Sequence, residues 1–234
     1  MSNQSVWAIV PAAGIGARMQ ADRPKQYLDL AGRTVLEHTL QRLADHPRVK
    51  GIIVAIAEHD PWWVQVSVKS DSPIHVVVGG KERADSVYNA LTALAKISDD
   101  DPWVLVHDAA RPCLRHQDID HMLATLVNHS VGGVLGISVT DTVKRTDAEH
   151  EITATVERQG LWRALTPQMF RLNTLKEALY MAKKQQLVVT DEASAIELSG
   201  LKAVMVEGHA DNIKITVPED LALASLFLKQ QGEH

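Results

Sequence analysis

Short apolar runs recur along the chain at residues 6–10, 51–57, 74–78, 103–106 and 133–139, separated by segments with helical spacing. Runs of four to seven such residues read as strands buried on both faces, in the centre of a sheet. One intervening helix carries Ala84, Val87, Tyr88, Leu91, Leu94 and Ala95 on a single face, and another carries Ile119, Met122, Leu123 and Leu126. Strand and helix therefore alternate, which predicts right-handed crossovers and an α/β fold with a mainly parallel sheet flanked by helices. Aromatic residues make up only 4% of the chain, so Val, Ile, Leu and Ala must fill the core.

A chain of 234 residues can build one large core, and no repeat, low-complexity tract or linker divides it, so residues 1–234 are expected to form a single domain. Thr-x-x-Glu patterns at Thr34/Glu37, Thr174/Glu177 and Thr216/Glu219 predict helix starts by capping box, the last with Pro218 in the first turn. The alternation breaks at 139–158. There Val143, and then Ile152, Ala154 and Val156 at every second position, flank a polar Asp-Ala-Glu-His-Glu centre, the pattern of a β-hairpin. An arm this polar has little apolar surface of its own and two free edges, so it is expected to pack on another subunit.

The formal net charge of -5 lacks the basic excess needed to bind a phosphate backbone, so nucleic acid is an unlikely partner. The N-terminus has no basic segment leading into an apolar one, and no run approaches a membrane span. A soluble, unexported protein without a membrane partner is expected. Its single cysteine, Cys113, can form neither an internal disulfide nor a structural zinc site, which fits the reducing cytoplasm.

Directly after the first run stand Pro11-Ala12-Ala13-Gly14-Ile15-Gly16-Ala17-Arg18-Met19 and then Arg23-Pro24-Lys25-Gln26. Small residues let backbone N–H groups approach an anion at the sheet's carboxyl edge, and Arg18 and Lys25 add fixed charge, together making a polyphosphate cradle. It is neither a dinucleotide fingerprint, since Met19 replaces the third glycine, nor a P-loop, since no Gly-Lys-Ser/Thr occurs. Gly79-Gly80 precedes a helix whose first turn holds Ser86, a place for a base or phosphate against the backbone, or simply a capped loop.

After the fourth run come His107-Asp108-Ala109-Ala110-Arg111-Pro112. Asp108 at a strand end facing the cradle is the candidate Mg²⁺ ligand, or else a turn cap paired with Arg111. His107 reads as structural, because attack by an ionised phosphate requires no proton removal. Near the C-terminus, Asp211 and Lys214 offer a second metal-proximal carboxylate and a cation, or an ordinary surface pair.

Taken in order, Pro-Ala-Ala-Gly-x-Gly-x-Arg-Met with Pro-Lys-Gln, Gly-Gly-x-x-Arg-x-x-Ser, His-Asp-Ala-Ala-Arg-Pro and Asp-Asn-x-Lys resemble the 2-C-methyl-D-erythritol 4-phosphate cytidylyltransferases, as does the segment Thr190-Asp191-Glu192-Ala193. The resemblance covers about residues 6–228. It implies a Rossmann-like nucleotidyltransferase fold, homodimeric through the arm, that joins CTP to 2-C-methyl-D-erythritol 4-phosphate with Mg²⁺ in the non-mevalonate isoprenoid pathway.

By position in those motifs, Arg18 and Lys25 would hold the triphosphate, and Ala12, Ala13, Gly14, Gly80 and Ser86 would line the cytidine site. Asp108 and Ala109 would stand at the metal and substrate side, with Asp211 beside them. Arg111, Thr166 and Lys214, the last also catalytic, would face the substrate phosphate. Thr142 and Arg158 would reach from the arm into the other subunit's site. Lys81 stands where the family can carry an acidic residue near the base.

Rival readings are a cytidylyltransferase for another polyol phosphate such as ribitol 5-phosphate, a non-catalytic nucleotide-sensing dimer, and a short-chain reductase. The missing third glycine and ribose acid oppose the last. The joint presence of Arg18, Lys25, Asp108 and Lys214 opposes the second.

Overall fold

The computed structural model describes residues 5–14, 22–98 and 100–232. The first strand, β1 (Val6–Pro11), leads through a 3-10 turn at Lys25–Tyr27 to a two-residue hairpin, β2 (Asp29–Leu30) and β3 (Arg33–Thr34), and then to α1 (Val35–Ala44). There follow β4 (Val49–Ile56), β5 (Ile74–Val78), α2 (Arg83–Leu94), β6 (Trp103–Val106), α3 (His116–Leu126) and β7 (Gly132–Ser138). The arm is β8 (Val143–Thr146) and β9 (Ile152–Val156). The chain then forms β10 (Trp162–Arg171), α4 (Leu172–Lys184), α5 (Glu192–Leu198), β11 (Val204–Glu207) and α6 (Glu219–Gln230).

Seven strands make one sheet in the order β11-β7-β10-β6-β1-β4-β5. All are parallel except β10, which runs antiparallel to both β6 and β7. Alternate residues of β1 serve opposite layers. Val6, Ala8 and Val10 meet Leu36 and Leu40 of α1 and the apolar face of α3, whereas Trp7 and Ile9 meet Val87, Leu91 and Leu94 of α2 and Leu175 of α4. Burial on both sides is why the central strands read as unbroken apolar runs. Trp7 lies opposite Gly51 of β4, where a Cβ would come within 2.2 Å of the indole ring, so glycine is required beside it. A third cluster, containing Leu30, Val35, Cys113, Ile215 and Leu228, seats α6 against the loops at one end of the sheet.

All five apolar runs are strands, but β5 is an edge rather than a central strand, and its Val76 and Val78 are exposed. The Thr34 capping box is present. The other two expected boxes are not. Helix α4 begins at Leu172 straight from β10, leaving Thr174 inside its first turn. Ahead of α6, the Thr216 backbone N–H and hydroxyl both donate to Asp220, at 2.7 and 3.0 Å, rather than to Glu219, and Pro218 precedes the first helical residue.

The arm is a separate two-stranded antiparallel sheet with mostly exposed side chains. No described helix is long and apolar enough to cross a membrane.

Candidate active site

Three loops at the carboxyl ends of parallel strands meet the 211–216 segment around one cleft. The first, after β1, is pinned by Gln26, whose amide donates to the carbonyls of Ala12 (2.7 Å) and Gly14 (2.9 Å). Gln26 is buried, so its two bonds fix residues 12–14 at the strand end. Lys25 projects from the following turn into the same wall and donates to the Ile215 carbonyl at 2.8 Å. Arg18 lies outside the described residues.

The second loop, after β5, touches the first. A Cβ on Gly79 would lie 2.6 Å from the Ala13 Cβ. Gly80 donates its N–H to the Ser86 hydroxyl at 3.0 Å, so Ser86 shapes the loop at least as directly as it could serve a ligand. Ala12, Ala13, Gly14, Gly80, Ser86 and Ala109 all line the resulting cleft, with Lys25, Asp108 and Lys214. About 210 Å³ of it is open.

The third loop, after β6, supplies Asp108, on which three cations converge. Its Oδ1 accepts from Arg83 Nε at 3.0 Å, and its Oδ2 lies 2.9 Å from Lys214 Nζ and 3.4 Å from Arg111 Nε. Burial alone would raise the Asp108 pKa, but Arg83, Lys214 and Arg111 hold it well below the usual carboxylate range. Arg83 also forks onto Glu192, at 2.6 and 3.0 Å. Three cations against two carboxylates leave this cluster one positive charge in excess, suited to an anionic ligand.

A smaller adjoining pocket of about 140 Å³ shares Arg83, Asp108 and Lys214 with the main cleft, adds Arg111, and is closed by Thr166, Gln168 and Asp191 among others. Thr166 is held from several sides. Its hydroxyl accepts the Asp108 N–H at 3.0 Å and lies 3.0 Å from His107 Nδ1, while Asn212 donates to its carbonyl at 2.8 Å. Arg111 donates to the Asn212 carbonyl at 2.8 Å. His107 is fully buried and bonded at both ring nitrogens, the second to the Arg111 carbonyl at 3.0 Å, so it is a structural residue as its sequence context suggests.

Both Asp108 oxygens are engaged by cations, Oδ1 by Arg83 and Oδ2 by Lys214 and Arg111, and no group of three His, Cys, Asp or Glu side chains that could hold a metal occurs among the described residues. Asp211 lines neither pocket, and its carboxylate accepts from Arg115 Nε at 2.9 Å and from Gln231 at 2.8 Å. Thr142 and Arg158 stand exposed on the arm, where the Arg158 guanidinium donates to the Thr140 carbonyl, and neither lines the cleft of its own chain.

Arg83, Glu192, Gln26, Gln168 and Asn212 were not singled out as site residues from the sequence. Four of the five nevertheless fall in a quoted motif, Arg83 being the fixed arginine of Gly-Gly-x-x-Arg-x-x-Ser, whereas Gln168 lies in none.

A family model described as 2-C-methyl-D-erythritol 4-phosphate cytidylyltransferase matches residues 6–230. A protein of that name from Pseudomonas putida is 55% identical over 216 residues, 92% of either chain. One from Vibrio vulnificus is 50% identical over 232 residues, 99% of this chain and 98% of its own. The crystal structure of the Francisella tularensis protein of that name superposes with a TM-score of 0.81 at 38% identity, covering 96% of this chain and all of that one.

Proposed function

The chain belongs to the 2-C-methyl-D-erythritol 4-phosphate cytidylyltransferases, and from that premise we propose how its two adjoining pockets divide the reaction. The enzyme transfers the cytidylyl group of CTP to 2-C-methyl-D-erythritol 4-phosphate, releasing pyrophosphate and forming the 4-diphosphocytidyl alcohol for isoprenoid synthesis. The larger cleft takes CTP, with Ala12, Ala13, Gly14, Gly80 and Ser86 around the nucleoside and Lys25 toward the phosphates. Arg18, in the same glycine-rich loop, is assigned to the triphosphate on its place in the motif. The smaller pocket takes the acceptor phosphate, facing Arg111, Thr166 and Lys214.

The observation that carries this division is the Asp108 cluster, which stands at the seam where both pockets share Arg83 and Lys214. An acceptor phosphate oxygen entering from one side can attack the α-phosphorus in line, with pyrophosphate leaving on the other. Such a transfer demands little proton chemistry and much positioning and charge neutralisation. Lys25, Arg18 and Lys214 supply the positive charge. Asp108 sets where Lys214 sits, and keeps cations that would otherwise repel one another together at the seam. Mg²⁺ belongs to this scheme as the counterion that CTP brings on its own phosphates, since the described residues leave no free carboxylate cluster for it.

The arm is assigned to a homodimer in which Thr142 and Arg158 complete the partner's acceptor pocket. CTP and the alcohol phosphate are the partners, nucleic acid and membrane are not, and the reaction is placed in the cytoplasm, where CTP is made. Pyrophosphate release with CTP and Mg²⁺ tests the reading. Turnover is expected with 2-C-methyl-D-erythritol 4-phosphate, and ribitol 5-phosphate should be used at least tenfold less efficiently, about the discrimination one misplaced contact gives. No pyrophosphate from the former, or preference for the latter, would overturn it.

A further inference from the structure

Glu192 is a carboxylate with 1% exposure at the first residue of α5, and no chemistry in the transfer requires it. Burying an acid is costly, and an apolar pair of equal volume would often stabilise the fold as well. Here the charge has a defined task. Both Glu192 oxygens receive the terminal nitrogens of Arg83, at 2.6 and 3.0 Å, which fixes the plane of the guanidinium. The remaining nitrogen, Nε, then points at Asp108 Oδ1 from 3.0 Å. With that oxygen engaged, Oδ2 faces Lys214 at 2.9 Å.

The far end of the chain of contacts is anchored too. The residue before Glu192, Asp191, accepts from the Ser194 N–H at 2.9 Å and from the Gln168 amide at 2.8 Å, while Gln168 accepts the Ala193 N–H at 2.8 Å. Glu192 is thus flanked on both sides by residues tied to Gln168 of β10, Asp191 through its carboxylate and Ala193 through its backbone N–H, and its side chain has a fixed origin.

We propose that Glu192 is a positioning residue for cytidylyl transfer, acting through Arg83 to orient Asp108 and so to hold Lys214 at the seam of the two pockets. This rests on the assignment of the seam to the transfer step. Arg83 is the connecting piece because it borders both pockets. Glu192 itself touches no substrate.

Glu192→Gln keeps the shape but removes the charge that locks the fork. It should lower kcat by about 10- to 100-fold, as for loss of one charge-assisted contact, and leave the KM for CTP within about twofold. The variant is then combined with Lys214→Ala. If Glu192 works through Lys214, the added cost in that background shrinks to less than about threefold, because the end of the relay is already gone. An equal cost in both backgrounds would mean a structural role only and overturn the proposal.

Wild-type enzyme run alongside separates the two ideas. Normal turnover with an unaffected Glu192→Gln overturns the relay alone, whereas absence of wild-type turnover overturns the functional reading and the relay with it. Should Glu192→Gln lose native circular dichroism, Arg83→Lys decides, since it keeps the charge and loses the fork. The same drop in kcat at constant KM for CTP supports the relay, and a kcat within twofold of wild type overturns it.

Discussion

At His107 the hydrogen bonds dictate a protonation state. The Arg111 carbonyl can only accept, so Nε2 carries the proton. The Thr166 hydroxyl, which already accepts from the Asp108 N–H, has its own hydrogen to give to Nδ1. A second ring proton would set two donors face to face, and burial opposes the charge as well, lowering the pKa to about 4. The unfolded imidazole takes up its proton as pH falls below 6.5, the folded one only near 4, so acid in that window favours unfolding. Stability from this residue is complete above pH 6.5 and declines toward pH 4 by about 3 kcal/mol. Urea melts of wild type and His107→Asn between pH 7 and 4 check it. The variant should be weaker at pH 7 but show a flatter pH dependence, and parallel curves would refute the claim.

Asp108 offers a second test at the same scale. With its oxygens already given to Arg83, Arg111 and Lys214, Asp108→Asn should reduce kcat by about 10²-fold, as for loss of an electrostatic organiser, without moving the Mg²⁺ concentration for half-maximal rate. A Mg²⁺ titration shifted several-fold would support Asp108 as a direct metal ligand instead. Lys25, Asp108 and Lys214 were legible in the sequence because each is a charged residue in a strand-end loop rich in small residues. Asp211 pairs with Arg115, 96 positions away, and a lone carboxylate in a sequence does not announce which cation will claim it. The Arg83 and Glu192 pair spans 109 positions and was hidden for the same reason.

Among elements, β1, β4, β6 and β7 were legible because double-sided burial imposes continuous Val, Ile and Leu runs, and the edge strand β5 because it keeps such a run, while β11 was not, and nor was β10. It contains Pro167 and polar Thr166 and Gln168, a composition that argues against a central strand. Its register shifts between Ala164 and Gln168, where the proline needs no ladder bond, and the polar side chains that spoil the pattern are the ones serving the pocket. The same economy of space governs the first two loops. Gly79 allows β1 and β5 to bring their ends into contact, since a methyl there would stand 2.6 Å from the Ala13 Cβ and 2.8 Å from the Ser86 hydroxyl. Gly79→Ala should cost about 1–3 kcal/mol of stability by overpacking and raise the KM for CTP more than that for the alcohol phosphate. Unchanged melting and an unchanged KM for CTP would show that the two loops need not touch.

For the whole molecule, the arm poses the largest question. Its strands pair only with each other, Ile152 is 66% exposed, and Arg158 lies outside the cleft of its own chain. A two-stranded ribbon of this kind is marginal without a surface to rest on. On the proposed dimer, Arg158 of one subunit presents its planar fork to the acceptor phosphate bound by the other. Arg158→Ala should then raise the KM for the alcohol phosphate and spare that for CTP. Mixing it with Lys25→Ala discriminates further. If sites are composite, a mixed dimer has one site bearing both lesions and one bearing neither. Random exchange makes half the dimers mixed, each with one intact site of two, so activity should recover to about one quarter of wild type. If each arm serves its own chain, every site keeps a lesion and nothing is recovered. Absence of recovery, with subunit exchange verified by mass spectrometry, would exclude the shared site.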